Sequence, residues 1–251
     1  MVVKVCGMSD IGKCRELNED SFKICGFENG LPNGVCVLAD GMGGHNAGEI
    51  ASSKAVDLVA GELSGVDATD DKEICKEIAS AVDFANSCIY EMSLKKREHS
   101  GMGTTLVVAF VKDGHLLVAN IGDSCAYVVS EKNMRKITID HSVVEELVQR
   151  GTITREQARN HPDKNIITRA VGTDEYVDAD FFEYKLHLGD TIVLCSDGLT
   201  EMVEDEKIKD LVNNSESVDD LVRNLVDEAN NNGGVDNITV IALRVEKEET
   251  K

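Results

Sequence analysis

The stretch GVCVLADGMGGHNAGEIASSKAVDLVAGEL, residues 34–63, joins a strand pattern to a helix pattern through a glycine-rich turn. Its first part, Gly34 to Ala39, is a continuous apolar run of strand length, which predicts a buried strand. From Ala47 to Leu63, apolar residues recur at three- and four-residue spacing, which predicts a helix with one buried face. A lone carboxylate, Asp40, therefore stands where the strand ends, followed by three glycines and a histidine.

The rest of the chain contains further strand patterns. Apolar runs and period-two alternation predict strands at Val2 to Met8, Ser21 to Phe27, Thr104 to Val111, His115 to Ile121, Ala126 to Val129, Met134 to Ile137, Asp180 to Leu186, Thr191 to Cys195 and Ile238 to Val245. Asp113 and Gly114 lie between two of these runs and predict a tight hairpin, since a primed turn needs a positive φ at both central residues. Short connections of this kind indicate antiparallel sheet.

The remaining helix patterns decide the fold class. They cover Lys72 to Leu94, Ser142 to Arg150, Thr154 to Asn160, Asp205 to Val212 and Val218 to Asn230. Runs of strands separated by pairs of helices are typical of an α+β layered fold rather than of a doubly wound parallel sheet. The sequence therefore predicts a four-layer α-β-β-α sandwich, with two antiparallel sheets flanked by helix pairs. No linker-like stretch divides the chain, so one domain spanning residues 1–251 is expected.

Composition argues against several classes of function. The formal net charge is -20 and no basic patch is evident, which disfavours binding to nucleic acid or to a membrane surface. No uncharged apolar run approaches about 20 residues, and the amino terminus lacks the apolar core of a signal peptide, so a cytoplasmic protein is expected. The eight cysteines are scattered singly, which favours free thiols over a disulfide framework or a zinc site.

Three aspartates stand at the ends of predicted strands, next to Gly or Asn: Asp40, Asp197 and Asp236. Each of them alone could be a turn former. Strand ends on the same side of a sheet converge, however, and converging carboxylates repel one another unless cations neutralise them. Oxygen ligands of this kind suit hard ions such as Mg²⁺ or Mn²⁺. The pattern favours a divalent metal site, with plain turn formation as the alternative.

Three neighbouring residues extend the candidate site. Gly41 allows a tight turn, so that its carbonyl oxygen can face the same ion as the preceding carboxylate. His45 is either a proton donor near the metals or a residue that only caps the loop. Arg15, in RELNED, either binds a phosphate through its planar fork or pairs with Glu19 or Asp20. Divalent ions, an arginine and a histidine acid together indicate hydrolysis of a phosphomonoester by metal-activated water.

Eight short motifs follow one another along the chain: RELNEDS, ADGMGGHNAGEIAS, GMGTTL, IGDS, DHS, RAVG, CSDGL and DNIT. In this order they resemble the motif series of the metal-dependent protein serine/threonine phosphatases, the protein phosphatase 2C family, in its compact bacterial form. The resemblance spans about Gly12 to Val245. It implies a central β-sandwich flanked by helix pairs and a centre of two, or three, Mn²⁺ or Mg²⁺ ions.

The resemblance also implies roles for individual residues. It assigns the metal centre to Glu19, Asp20, Asp40, Gly41, Asp123, Asp197 and Asp236. Asp40 would bridge two ions, while Asp123 would share a third ion with Asp197. Arg15 would bind the substrate phosphate, and His45 would protonate the departing serine or threonine oxygen.

The implied function is hydrolysis of phosphoserine and phosphothreonine on proteins, in opposition to a bacterial Ser/Thr kinase that would be a cognate partner. A monomer without nucleic-acid or membrane partners is expected. One alternative is a catalytically inactive, phosphatase-like binding module, against which the retained acidic residues, Arg15 and His45 argue. The other is a phosphatase of anti-sigma-factor antagonists, against which the complete RxxNED element argues.

Two further features concern the surroundings of the site. The segment VVEELVQRGTITREQARNHPDKNIIT, residues 143–168, resembles the family's flap, which influences substrate choice, and a plain surface excursion is the alternative. After IGDS the family usually has arginine, whereas this chain has Cys125. An ordinary thiol is expected there, with a reactive, redox-sensing thiol as the alternative hypothesis.

Overall fold

The computed structural model describes residues 1–27, 33–43, 47–66, 70–131 and 133–247. These ranges contain eleven strands: β1 (Val2–Asp10), β2 (Asp20–Gly26), β3 (Gly34–Met42), β4 (Gly103–Thr104), β5 (Leu106–Lys112), β6 (His115–Ile121), β7 (Cys125–Val129), β8 (Met134–Lys136), β9 (Asp180–Lys185), β10 (Thr191–Cys195) and β11 (Ile238–Glu246). They also contain seven α-helices: α1 (Ala47–Leu63), α2 (Asp71–Lys95), α3 (Val143–Gln149), α4 (Arg155–Arg159), α5 (Asp197–Thr200), α6 (Asp205–Asn214) and α7 (Val218–Asn231). None of the described helices is long and apolar enough to cross a membrane.

The strands form two antiparallel sheets. One has the order β1-β11-β10-β7-β8, and the other has the order β2-β3-β5-β6-β9, with β4 paired beside the end of β3. Leu38, Ile192 and Ile241 are fully buried between the two sheets. Helices α1 and α2 cover the outer face of the second sheet, whereas α5, α6 and α7 cover the outer face of the first. The predicted α+β sandwich of four layers is confirmed.

β3 lies in the middle of this arrangement. Its Cys36 and Leu38 side chains face the other sheet, whereas Val35 and Val37 face the helices α1 and α2. A strand that is buried on both faces needs apolar residues at successive positions, which is why its sequence shows a continuous run rather than alternation. The helix that follows, α1, has the bounds that the apolar spacing predicts.

The end of β3 differs from the prediction. The strand continues past Ala39, through Asp40, to Met42. Asp40 pairs with Asp20 of β2, and the next two residues pair with β4. The expectation that the strand ends before Asp40 is therefore wrong, and the carboxylate is held inside regular sheet instead of a turn.

The other differences are also local. The predicted strand from Thr104 to Val111 is divided at Thr105 into β4 and β5, although the backbone N–H of Thr105 still donates to the Asp40 carbonyl of β3 at 2.8 Å. The short helix α5 has no counterpart in the prediction, because four residues are too few to show a period. The predicted hairpin is confirmed, since Asp113 and Gly114 have φ values of 51° and 80°.

Candidate active site

A cavity of about 230 Å³ opens where strands of both sheets end. It is lined by Arg15, Glu19, Asp40, Gly41, Met42, Gly43, Thr105, Asp123, Asn165, Ile167, Asp197, Asp236 and Asn237. Five of these lining residues are carboxylates and one is an arginine. The fold therefore brings together the acidic residues that the sequence places far apart, with the exception of Asp20, which lies behind the cavity wall.

The strand topology explains the convergence. Asp197 follows the last residue of β10 by two positions, and Asp236 precedes the first residue of β11 by two. Because β10 and β11 are antiparallel neighbours, the end of one and the start of the other lie at the same edge. Asp40 comes to this edge from β3 of the opposite sheet.

Asp20 is only 7% exposed. It lies opposite Asp40 across the β2–β3 pair and accepts a hydrogen bond from Ser196 Oγ at 2.8 Å. The same Ser196 oxygen accepts a hydrogen bond from the backbone N–H of Thr239 at 3.0 Å. Ser196, which the sequence analysis does not single out, thus connects the two sheets directly behind the cavity.

Asn237 is the second residue that sequence reasoning missed, although it stands inside the quoted DNIT motif. Its Oδ1 accepts the backbone N–H of Glu19 at 2.8 Å. Its Nδ2 donates to the carbonyls of Ile11 and Leu17 at 2.9 and 3.0 Å. One buried amide therefore fixes the backbone on both sides of Arg15 and sets the position of Glu19.

Two glycines of the site stand where another part of the chain comes too close for a side chain. Gly41 lies within β3, so the tight turn expected at this residue is not present. A Cβ atom at Gly41 would instead collide with the backbone of Gly48 at the start of α1. A Cβ atom at Gly48 would collide with the Glu19 carboxylate. The helix can therefore approach the acidic cluster only because both positions lack side chains.

Asp123 is held by the loop that follows β6. The backbone N–H of Gly122 donates to His141 Nδ1 at 3.1 Å, and the backbone N–H of His141 donates to the Gly122 carbonyl at 2.9 Å. His141 is 7% exposed, and its Nε2 lies 3.3 Å from Asp180 Oδ2. The histidine of the DHS motif is thus a structural support of the Asp123 loop.

The electrostatics of the cavity are dominated by uncompensated negative charge. Burial raises the pKa of Asp40 and Asp197 well above its ordinary range, and neighbouring carboxylates raise it further. Burial also raises the pKa of Asp20 and of Asp123, each to about 6. These shifts share one cause, because carboxylates taken out of water beside other carboxylates resist ionisation.

Arg15 is the cation of the cavity wall. Its side chain is half exposed, and its Nη2 donates to Asp236 Oδ2 at 2.7 Å. The alternative partners considered from the sequence, Glu19 and Asp20, do not form this bond. The guanidinium group lies at the mouth of the cavity, where further N–H donors are available to an anion.

The chemistry of the cavity fits hard divalent cations. Glu19 Oε1, Asp20 Oδ1 and Asp197 Oδ1 are buried and have no hydrogen-bond partner among the described residues. Buried acceptors of this kind are costly unless another group satisfies them, and oxygen donors are the type that Mg²⁺ and Mn²⁺ prefer. Among the described residues, no three Asp, Glu, His or Cys side chains are yet grouped closely enough to hold one ion. The cavity therefore suits divalent cations in the type of its donor atoms, in its negative charge and in its unpaired buried oxygens.

The flap-like segment reaches the same cavity. Asn165 and Ile167 line it, and a backbone bridge pairs Ile167 with Ser142. Lys164 Nζ lies 2.6 Å from Glu201 Oε1, just beyond α5. This part of the chain is therefore attached to the helix that begins with Asp197.

His45 lies outside the described residues, as do Gly44 and Asn46. All eight cysteines are free thiols, as expected. Cys125 is fully buried, with its Sγ 3.7 Å from the Sγ of Cys195.

Comparison with known proteins agrees with this geometry. Residues 12–238 match the protein phosphatase 2C family model. The chain is 38% identical over 236 residues to the serine/threonine phosphatase stp of Listeria welshimeri, which covers 94% of this chain and 93% of the relative. It superimposes with a TM-score of 0.91 and 36% identity on the serine/threonine phosphatase Stp1 from Staphylococcus aureus, covering 98% and 96% of the two chains. The catalytic domain of the serine/threonine protein phosphatase PstP, in complex with two manganese ions, gives a TM-score of 0.86 at 32% identity, covering 98% and 99%. The chain therefore belongs to the protein phosphatase 2C family and is a protein phosphatase.

Proposed function

We propose that this protein hydrolyses phosphoserine and phosphothreonine on other proteins, with two or three Mg²⁺ or Mn²⁺ ions held in the acidic cavity. The observation that carries the proposal is the convergence of five carboxylates and one arginine on a single cavity. The unsatisfied buried oxygens support it, since they need a cation. The printed names of the relatives and the manganese in one structural neighbour point the same way.

The ligands proposed for the ions share oxygen donors: Asp40, the carbonyl of Gly41, Asp197, Asp236, Glu19, Asp20 and Asp123. When bound, the ions would lower the pKa of a water molecule and offset the negative charge of the phosphate. Asp123, which comes from a different loop, would serve a third ion. Ser196 and Asn237 would orient Asp20 and Glu19, because each donates to or accepts from the acidic segment directly.

Arg15 would bind the substrate phosphate. Its planar fork matches two phosphate oxygens, and a single hydrogen bond, to Asp236, engages it in the described part of the chain. Its half-exposed side chain supports this role, because a phosphorylated side chain could reach it from solvent. His45, beyond the last described residue of β3, would donate the proton to the departing alkoxide oxygen.

The cellular setting belongs to the same proposal. Eight free cysteines suit a reducing compartment such as the cytoplasm. There the protein would act as a monomer in phosphorylation signalling, opposing a cognate Ser/Thr kinase. The segment at 143–168 would serve as a flap that selects phosphoprotein substrates, because two of its residues line the cavity.

Phosphate release from a phosphothreonine peptide, measured across a Mn²⁺ titration with EDTA as the blank, tests the proposal. Asp197→Asn should abolish turnover. Asp190→Asn is the matched control, because Asp190 is also buried but lies at the opposite end of β10. If folded protein shows no turnover at any Mn²⁺ or Mg²⁺ concentration, the inactive binding module becomes the better reading.

A further inference from the structure

Cys125 and Cys195 face each other across the β7–β10 pair. They are directly opposed residues in the antiparallel register, and their Sγ atoms are 3.7 Å apart. Both side chains are fully buried on the face of the sheet that α5, α6 and α7 cover. Two thiols are thus held in contact by the regular backbone of two central strands.

This geometry meets the requirements of a disulfide. Directly opposed residues in antiparallel strands have Cα atoms about 4.5–5.5 Å apart, which lies within the range of about 4.4–6.8 Å found for disulfides. The sulfur atoms would have to approach from 3.7 Å to about 2.05 Å. Shared equally, the movement is about 0.8 Å for each sulfur atom.

We propose that Cys125 and Cys195 form an oxidisable dithiol site, which a peroxide converts into an internal disulfide that displaces Asp123 and Asp197. Asp123 precedes Cys125 by two residues, and Asp197 follows Cys195 by two. Both aspartates line the acidic cavity. The effect on turnover rests on the proposed phosphatase function, whereas formation of the disulfide does not.

The chemistry balances with hydrogen peroxide as the oxidant. The thiolate of one cysteine attacks a peroxide oxygen and the O–O bond breaks. The sulfur becomes a sulfenic acid, and the released hydroxide takes up the thiol proton to form the first water. The second sulfur attacks the sulfenic sulfur, the S–S bond forms, the S–O bond breaks, and a second water leaves. Two thiols and one peroxide thus give one disulfide and two waters, with one electron lost by each sulfur.

A short edge strand lies beside the strand that carries Cys125. β8, only three residues long, is the edge strand beside β7. Its Lys136 side chain is 28% exposed, and the ammonium group interacts electrostatically with both thiols. We expect a small oxidant to enter at this edge of the sheet, because the helices α5, α6 and α7 cover the face on which the thiols lie.

Mass spectrometry of peroxide-treated protein tests the chemistry. A Cys14→Ser background is used, because Cys14 is exposed and would form intermolecular products. We expect a loss of two hydrogen atoms from the intact mass and a crosslinked peptide pair containing Cys125 and Cys195. Both should disappear in Cys195→Ala and, as a second variant, in Cys125→Ala. Cys36, equally buried, should remain a free thiol and serves as the internal control.

Turnover and Mn²⁺ affinity of the same samples show whether the disulfide changes the site. Displacement of two site carboxylates by a fraction of an ångström should lower turnover about tenfold. Dithiothreitol should restore it, and Cys195→Ala should keep its turnover under peroxide. Mn²⁺ affinity, measured by calorimetry, should fall in parallel, so that the displacement is detected even if the protein shows no turnover.

Two outcomes overturn the proposal. One is oxidation to sulfinic acids, or at other cysteines, without the Cys125–Cys195 crosslink. The other is a complete crosslink that leaves both Mn²⁺ affinity and turnover unchanged. Absence of turnover before oxidation would instead count against the proposed function alone.

Discussion

Removal of divalent cations should make the stability of this protein fall as the pH rises towards neutrality. Asp20 provides the clearest case, because it is 7% exposed and stands beside Asp40. Burial raises its pKa from the ordinary value of 3.8 to about 6. The folded protein therefore holds a proton on this carboxyl at pH values at which the unfolded chain has already released it.

The sign and size of the effect follow from linkage. A carboxyl with a raised pKa binds more protons in the folded state, so the free energy of unfolding decreases as the pH rises from about 4 to about 6. A pKa shift of about two units corresponds to about 3 kcal/mol. This is the total decrease in the free energy of unfolding once Asp20 has ionised in the folded protein without a cation. Burial and neighbouring carboxylates also raise the pKa of Asp40 and of Asp197, so both groups add to the decrease in the same direction.

Urea unfolding at about pH 5 and about pH 7.5, in EDTA, measures this decrease. The Asp20→Asn variant isolates it, because asparagine can still accept the Ser196 hydrogen bond but cannot ionise. Between these two pH values the variant should lose about 1.4 kcal/mol of the pH dependence, because only about one pH unit below the folded-state pKa of about 6 lies within the window. Mn²⁺ at a hundred times its Kd should add about 2.7 kcal/mol at pH 7.5. Identical pH dependence of the wild type and Asp20→Asn in EDTA would refute the reasoning.

Four further predictions concern single features of the site. Asn237→Ala should lower the free energy of unfolding by about 2–4 kcal/mol in urea titrations, since it leaves the backbone N–H of Glu19 without its acceptor; a loss below 1 kcal/mol would contradict this. Arg15→Ala should raise the KM for a phosphopeptide about tenfold while changing stability by less than about 1 kcal/mol, and an unchanged KM would exclude phosphate binding. His45→Ala should slow a phosphothreonine peptide much more than an aryl phosphate, because the aryl leaving group needs no proton; equal losses would count against the acid role. A chimera that exchanges residues 150–164 should alter peptide preference and spare the aryl phosphate, and parallel changes would argue against a flap.

Most of the architecture could be predicted because each element has a short-range cause. The apolar spacing of α1 and the Asp113–Gly114 hairpin are local patterns, and both appear at the predicted residues. β3 is recognisable as strand from its apolar run alone. The apolar run does not predict where the strand ends, because the end depends on pairing with distant segments. Asp40 pairs with β2, and the two residues after it pair with β4.

The support of the site could not be predicted for the same reason. Arg15 is 221 residues from its partner, Asp236, in the chain, and Asn237 is 218 residues from the Glu19 backbone that it holds. Nothing near either residue indicates these contacts.

Asp40, Asp197 and Asp236 were recognisable, because a carboxylate that follows or precedes an apolar run is a local signal. The other acidic residues of the site were assigned only through the family resemblance. Asn237 and Ser196 stand beside two of the three recognisable aspartates, but asparagine and serine are common in turns and helix caps, so their sequence positions do not indicate a role in the site.

The two sheets also explain why the acidic cluster and the fold depend on each other. β3 carries Asp40 to the cavity from one sheet, and the β10–β11 pair carries Asp197 and Asp236 to it from the other. Packing of the two sheets at this edge therefore brings carboxylates from both sheets close to one another. Of the six charged residues that line the cavity in the described part of the chain, only Arg15 is a cation, so protons or bound cations must supply the remaining compensation. At neutral pH protons are scarce, and the cations that the proposed reaction needs would also hold the two halves of the sandwich together at this edge.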